Sequence, residues 1–246
     1  MEDAEYRNMY TVEATHWWYV SLHGLILRSL PRRRPLTFFD AGCGTGRLME
    51  LLQPFGTAEG CDVSTHALAF CRERGLSAVR ECDLNAVALE PDRYDVITSI
   101  DVLYHRGIRD DRQALERLRS GLRPGGTLIL QVPAYAWLRS SHDDTVHTAR
   151  RYTRSAVIAL LRSAGFKVEK ATYRVTLLFP AIAAVRLLQR VLPAGSGSDV
   201  RRHSPLINRL LLAVMEAERT LLERISLPFG TSVFAVARRP DRREGA

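Results

Sequence analysis

The segment Asp40-Ala-Gly42-Cys-Gly44-Thr-Gly46 has the composition of a ligand cradle. Glycines on alternate residues let a backbone come close to a bound molecule, and a helix starting just after them presents free amide donors. The spacing discriminates between ligands. A dinucleotide fingerprint needs GxGxxG, but here the third glycine falls one residue early and Arg47 stands in its place. A Walker loop needs GxxxxGK[ST], and this region has no lysine. Asp40, two positions before the first glycine, opposes a pyrophosphate and favours a ligand bearing an ammonium group. Farther along, the adjacent guanidinium forks of Arg150 and Arg151, with Tyr152, suit a carboxylate or phosphate on a substrate.

These residues need a scaffold. The run Leu36-Thr-Phe-Phe-Asp40 reads as a strand leading into the loop, and Leu48, Leu51 and Leu52 mark a helix after it. Next come a short strand ending at Cys61-Asp62, a helix over 64–74, a strand near 78–82 and a strand over 94–100. A helix over 111–122, a turn at Arg123-Pro-Gly-Gly126 and an apolar strand over 127–132 follow. A polar loop, a helix over 153–164 closed by Gly165, a strand over 166–173 and a last strand over 231–237 complete the alternation. Alternating strands and helices argue for parallel βαβ units in a sheet covered on both faces. Residues 1–30 look helical, with Trp17, Tyr19, Leu22, Ile26 and Leu30 at helical spacing. Between the last two strands lie two further expected helices, 176–192 and 205–225, separated by Pro193-Ala-Gly-Ser-Gly-Ser198. The second is amphipathic.

Composition narrows the classes. The 246 residues are 46% hydrophobic and 25% charged, an ordinary globular balance rather than a disordered, collagen-like or disulfide-scaffold one. Lys167 and Lys170 are the two lysines, so arginine carries nearly all of the formal charge of +8. That excess suits nucleic acid, an anionic membrane or an anionic substrate, and equally an arginine-rich codon usage. Cys43, Cys61, Cys71 and Cys82 form no CxxC pair and have no close histidine partners, so reduced, partly buried thiols in a cytoplasmic protein are expected. The acidic start Met-Glu-Asp-Ala-Glu lacks the basic and apolar order of a secretory signal, so no export is expected.

The ordered set of signals resembles the class I S-adenosylmethionine (SAM) dependent methyltransferases, small-molecule type. It consists of the Asp40–Gly46 loop, Asp62 ending the second strand, Cys82-Asp-Leu84 after the third, Tyr94-Asp-Val-Ile, and Leu122-Arg-Pro-Gly-Gly126. The resemblance spans residues 36–173 and the final strand. It implies a Rossmann-like α/β fold with a mostly parallel seven-stranded sheet, helices on both faces and a helical insert before an antiparallel last strand. By the same resemblance, Gly42, Gly44 and Gly46 pass beneath the methionine part of SAM, with Asp40 near its amino group. Asp62 would take the ribose hydroxyls, Asp83 the adenine amino group and Leu84 the ring, while Ser99 and Ile100 would face the methionine. Trp17, within His16-Trp17-Trp18-Tyr19, resembles an N-terminal lid over the sulfonium.

The reaction implied is direct displacement at the sulfonium methyl, releasing S-adenosylhomocysteine; oxygen is the expected acceptor atom, on a small molecule or on a lipid- or sugar-linked one. A hydroxyl acceptor benefits from a base. His105, just after the fourth strand, has the best address, with His142, Asp143, Asp144, His147 and Tyr152 as further candidates; Arg150, Arg151 and Tyr152 are expected to bind acceptor. One methyltransferase domain is expected, divided into a lid (1–35), a SAM-binding core (36–173), an insert facing acceptor or membrane (174–229), the last strand (230–238) and a basic tail (239–246). Insert arginines Arg186, Arg190, Arg201 and Arg202 would suit peripheral contact with the inner membrane face. Ser99-Ile-Asp-Val-Leu-Tyr-His105 lacks the (Asn/Asp)-Pro-Pro-(Tyr/Phe) motif of base methylation, and no acidic cluster points to a metal. The competing readings are a non-catalytic SAM-binding protein, a nucleic-acid methyltransferase and an NAD-dependent oxidoreductase.

Overall fold

The computed structural model describes residues 2–191 and 203–241. Strand β1 (Leu36–Ala41) is almost wholly buried, because side chains on both faces meet covered cores. Phe38 points into one core with Val96, Ile129 and Phe234, and Phe39 into the other with Ile97, Leu128 and Leu130. β1 runs parallel to β2 (Gly56–Asp62) on one side and to β4 (Tyr94–Ile100) on the other. β3 (Val79–Glu81) extends the sheet beyond β2, and β5 (Leu122–Pro133) lies beside β4. β7 (Ser232–Arg238) is antiparallel to both β5 and β6 (Lys167–Arg174). The resulting order, β3-β2-β1-β4-β5-β7-β6, is the seven-stranded, mostly parallel arrangement the alternation implied. Strand order reverses between β1 and β4, and crevices at such switch points are where doubly wound sheets bind ligands.

Helices end where local chemistry caps them. α3 (Arg47–Leu52) begins at Gly46, α4 (Thr65–Glu73) is capped by the Ser64 side chain, and α5 (Asp111–Gly121) by Asp110. Thr153 caps α7 (Arg154–Ser163) in the same way. The N-terminal segment is two helices rather than one, α1 (Asp3–Val12) and α2 (Trp17–Arg28), broken where His16 accepts a hydrogen bond from the Trp18 backbone. β5 starts at Leu122, so Arg123-Pro-Gly-Gly126, expected as a turn, is part of the strand. The polar stretch after β5 was expected to be a loop; it contains α6 (Ser141–Thr145), fixed by a capping box between Ser140 and Asp143.

Between β6 and β7 lie α8 (Phe179–Val191) and α9 (Pro205–Arg224). The C-terminal half of α9 packs on α2, burying Met215 and Leu222. Glu218, fully buried, accepts from the backbone N–H groups of Val175, Thr176 and Leu177 at 2.6, 2.6 and 2.9 Å. The glycine–serine break, Arg201, Arg202 and the end of the basic tail lie outside the described residues, as does the side chain of Arg190.

Candidate functional site

The loop after β1 turns over the carboxyl end of the sheet with Gly42 at φ +85° and Gly44 at φ +54°. A Cβ on Gly42 would stand 2.3 Å from a Val102 methyl, so this position excludes every other residue type. Gly42 and Cys43 donate to the Cys61 carbonyl at 2.8 Å each, which pins the loop to the end of β2. Gly46 begins α3 and faces Leu76 and Cys71, away from the open side of the loop.

A cavity of about 900 Å³ opens beside this loop. Its lining includes Asp40, Gly42, Gly44, Asp62, Asp83, Leu84, Ile100 and Trp17. Asp40 is buried, and its carboxylate accepts from Thr98 Oγ1 at 2.7 Å; burial pushes its pKa up to about 7, with the Asp62 charge adding to the shift. No cationic side chain compensates it in that shift, so it stands ready for a positively charged ligand group. Asp62 accepts from the Gly44 N–H and the Ser64 N–H, both at 2.9 Å, and from the Tyr6 hydroxyl at 3.4 Å. Burial raises its pKa, against the lowering effect of those backbone donors. Asp83 is exposed, and its Oδ1 accepts from the backbone and side chain of Asn85. The Trp17 indole N–H is buried without a protein partner.

The same cavity is also lined by Asp101, Tyr104, His105 and Arg151, and by Ala181, Ile182, Val185, Arg186 and Gln189 of α8. Asp101 follows β4 directly at φ +54°, a left-handed conformation uncommon for a residue with a side chain. Its Oδ2 accepts from Gln131 Nε2 at 2.7 Å, and Gln131 Oε1 faces Arg174 Nη1 at 3.5 Å. Arg174 is itself buried, donating to the Trp18 carbonyl and Ser21 Oγ at 2.8 and 2.6 Å. Burial pushes Asp101 up to about 6, while Gln131 and the Arg174 charge restrain the shift. His105 accepts on Nδ1 from the Gly107 N–H at 3.0 Å, and burial pushes it down to about 4, so its ring is neutral near pH 7.

Other expected residues go elsewhere. Ser99 is fully buried and, alternating with Ile100, points away from the cavity. Arg150 pairs with Asp111 and the Ile108 carbonyl, and the Tyr152 hydroxyl donates to Asp111 Oδ2 at 2.6 Å, so neither lines the cavity. Arg151 does line it, held by Asp143 at 2.9 Å. His142 and Asp143 also reach the cavity wall, whereas Asp144 and His147 do not. Cys61 and Cys82, expected as thiols, form a disulfide beside Asp62 and Asp83; adjacent strands bring together residues that sequence spacing kept apart. Cys43 and Cys71 are free. Sequence reading missed Asp101, because a positive φ leaves no mark in residue type, and missed Tyr6 on α1 and Glu13 just after it. Glu13 bridges Thr45 Oγ1 at 2.6 Å and Arg74 Nη2 at 2.5 Å, tying α1 to the glycine loop.

The sequence profile described as a methyltransferase domain matches residues 39–130, which span β1 to β5 and the whole glycine loop. The fold agrees: an S-adenosylmethionine-dependent methyltransferase from Mesorhizobium loti superposes with a TM-score of 0.60 at 17% identity, over 92% of this chain and 100% of that one. Profile and fold together support a class I SAM-dependent methyltransferase. The malonyl-[acyl-carrier protein] O-methyltransferase of Pseudescherichia vulneris is 29% identical over 84% of this chain and 85% of its own. The ubiquinone biosynthesis O-methyltransferase of Paraburkholderia xenovorans is 32% identical over 37% of this chain and 41% of its own. The latter and two further curated relatives are matched over 30% to 43% of their own lengths, less than half. SAM is the cofactor that these similarities support, and the cavity suits it: a buried carboxylate at Asp40 with further carboxylates at Asp62 and Asp83.

Proposed function

We propose that this chain transfers a methyl group to an oxygen of a small-molecule or lipid- or sugar-linked acceptor. The observation that carries this reading is the continuity of one cavity from the Asp40–Gly44 loop to Asp101 and His105. When bound, SAM supplies a methyl carried on a sulfonium. Asp40 would hold its ammonium group, Asp62 the ribose hydroxyls and Asp83 with Leu84 the adenine.

Such a transfer depends mainly on alignment and on exclusion of water, and α1, α2 and the aromatic wall Trp17–Tyr19 shield the cavity. Asp101 is the better base for an acceptor hydroxyl. Its carboxylate is oriented by Gln131 and sits near neutral pKa, whereas the neutral His105 ring has become a weak base. The proton leaves the acceptor oxygen for the Asp101 carboxylate as that oxygen gains the methyl. The O-methyltransferases among the relatives support oxygen as the acceptor atom. Titration calorimetry tests the cofactor half: SAM and S-adenosylhomocysteine bind, NAD does not, and Asp62→Ala weakens SAM by about tenfold or more, as loss of charged hydrogen bonds predicts. Unchanged affinity in that variant would remove the assignment. A screen of hydroxylated acceptors with methyl-labelled SAM tests the other half.

A further inference from the structure

α9 divides along its length into two surfaces. Its C-terminal half carries Glu216, Glu218 and Glu223 and packs on α2, with Glu223 paired to Arg28. Its N-terminal half is tied to the start of α2 by Asn208, which accepts from the Trp17 N–H and donates to the Thr15 carbonyl, both at 2.9 Å. Around that clasp, Leu206, Ile207 and Leu210 are 79%, 50% and 65% exposed. α8 is similar. Its first residue, Phe179, packs on Tyr135, Trp137 and Phe229, but beyond that anchor it has only sparse contact with other elements, and Leu187 and Leu188 are 50% and 60% exposed. Isolated surface leucines need no explanation; two consecutive helices of them do.

Charge says what covers them. Across 179–191 and 205–215 the charged residues are Arg186, Arg190 and Arg209, with no acidic residue. Apolar side chains flanked by arginine, without carboxylates to repel phosphate, fit the boundary between the headgroups and acyl chains of an anionic bilayer. No helix among the described residues is long and apolar enough to cross a membrane, so contact is with the surface. The cavity reaches the same helix, through Ile182, Val185 and Gln189.

We infer that α8 and the N-terminal half of α9 dock on an anionic lipid bilayer, with the cavity opening at α8 toward lipid-borne acceptors. The docking stands on the helices alone; the acceptor route rests on the methyl transfer proposed above. The test is co-sedimentation of the full chain with vesicles of phosphatidylcholine, pure or mixed with phosphatidylglycerol. The expected result is pelleting with the mixed vesicles, weakened by salt, and at least about tenfold weaker with pure phosphatidylcholine. The double variant Leu187→Glu/Leu188→Glu, and separately Leu206→Ser/Leu210→Ser, should each lose about tenfold or more of that binding. None of these residues lines the cavity, so calorimetry with SAM should give wild-type affinity, which shows the variants folded and tests the cofactor site independently. Failure of the wild type to pellet with mixed vesicles would overturn the inference. So would a wild-type dimer in sedimentation velocity that Leu187→Glu/Leu188→Glu converts to monomer, since the face would then belong to a second copy.

Discussion

Asp40 carries a conflict that only a ligand relieves. In the folded protein its pKa is about 7, above the ordinary value of 3.8, because burial disfavours the charge. Between those values the folded state holds a proton that the unfolded state has lost, so this group lowers stability as pH rises toward 7. A cationic ligand reverses the balance by favouring the carboxylate. SAM affinity should therefore tighten from about pH 6 to about pH 8, by at most about tenfold per pH unit, as measured by calorimetry. Asp40→Asn keeps an acceptor for Thr98 without the charge. It should raise the melting temperature of the ligand-free protein near pH 8, while weakening SAM by about tenfold or more through loss of a charged hydrogen bond. A variant that lowers both would assign Asp40 to the fold alone. Asp101 is a different case, since its partner Gln131 is already in place. With an acceptor found by screening, Asp101→Asn should cut turnover by about a hundredfold, the low end of general-base effects, with SAM affinity unchanged. His105→Asn should stay within a few-fold of wild type. The reverse ranking would return the base role to the histidine.

At the level of elements, what was readable in the sequence was local. The glycine loop, the acidic residues ending β2 and following β3, and the strand–helix alternation all depend on neighbours a few residues apart, and residue type records them. Tyr6 reaching Asp62, Glu13 reaching Thr45 and Arg174 reaching Trp18 join residues brought together by folding alone. The insert shows the same limit. Its hydrophobic spacing gave two helices but not which half of each was core. Glu218 decides that for α9: it satisfies three consecutive backbone N–H groups where the chain leaves β6. Glu218→Ala would strand those donors in a buried setting, each costing about 1–3 kcal/mol, so a loss of about 3 kcal/mol or more is expected in denaturant unfolding. The C-terminal half of α9 is thus core, and deleting the whole insert would test stability rather than acceptor use. Substitutions confined to α8 separate the two.

Taken over the whole molecule, part of the arginine excess is spent internally. Arg33 and Arg123 share Asp95, Arg74 joins Glu13 and Glu50, Arg93 joins Glu59 and Glu90, and Arg151 holds Asp143. Arg238 and Arg239 pair with Glu169 and Asp92. A groove that follows a phosphate backbone needs guanidinium groups left for phosphate, and these are held by carboxylates of the same chain. The formal charge of +8 still gives a weak, nonspecific attraction. Fluorescence anisotropy with duplex DNA and with structured RNA should accordingly show dissociation constants in the range of nonspecific binding, about 1–100 µM at physiological salt, weakening steeply as salt rises and without preference among sequences. Nanomolar binding to one sequence would move the acceptor to a nucleobase. It would also require the cavity to admit a base past α8, where the wall is Ala181, Ile182, Val185 and Gln189 with Arg186 as its one cation among the described residues.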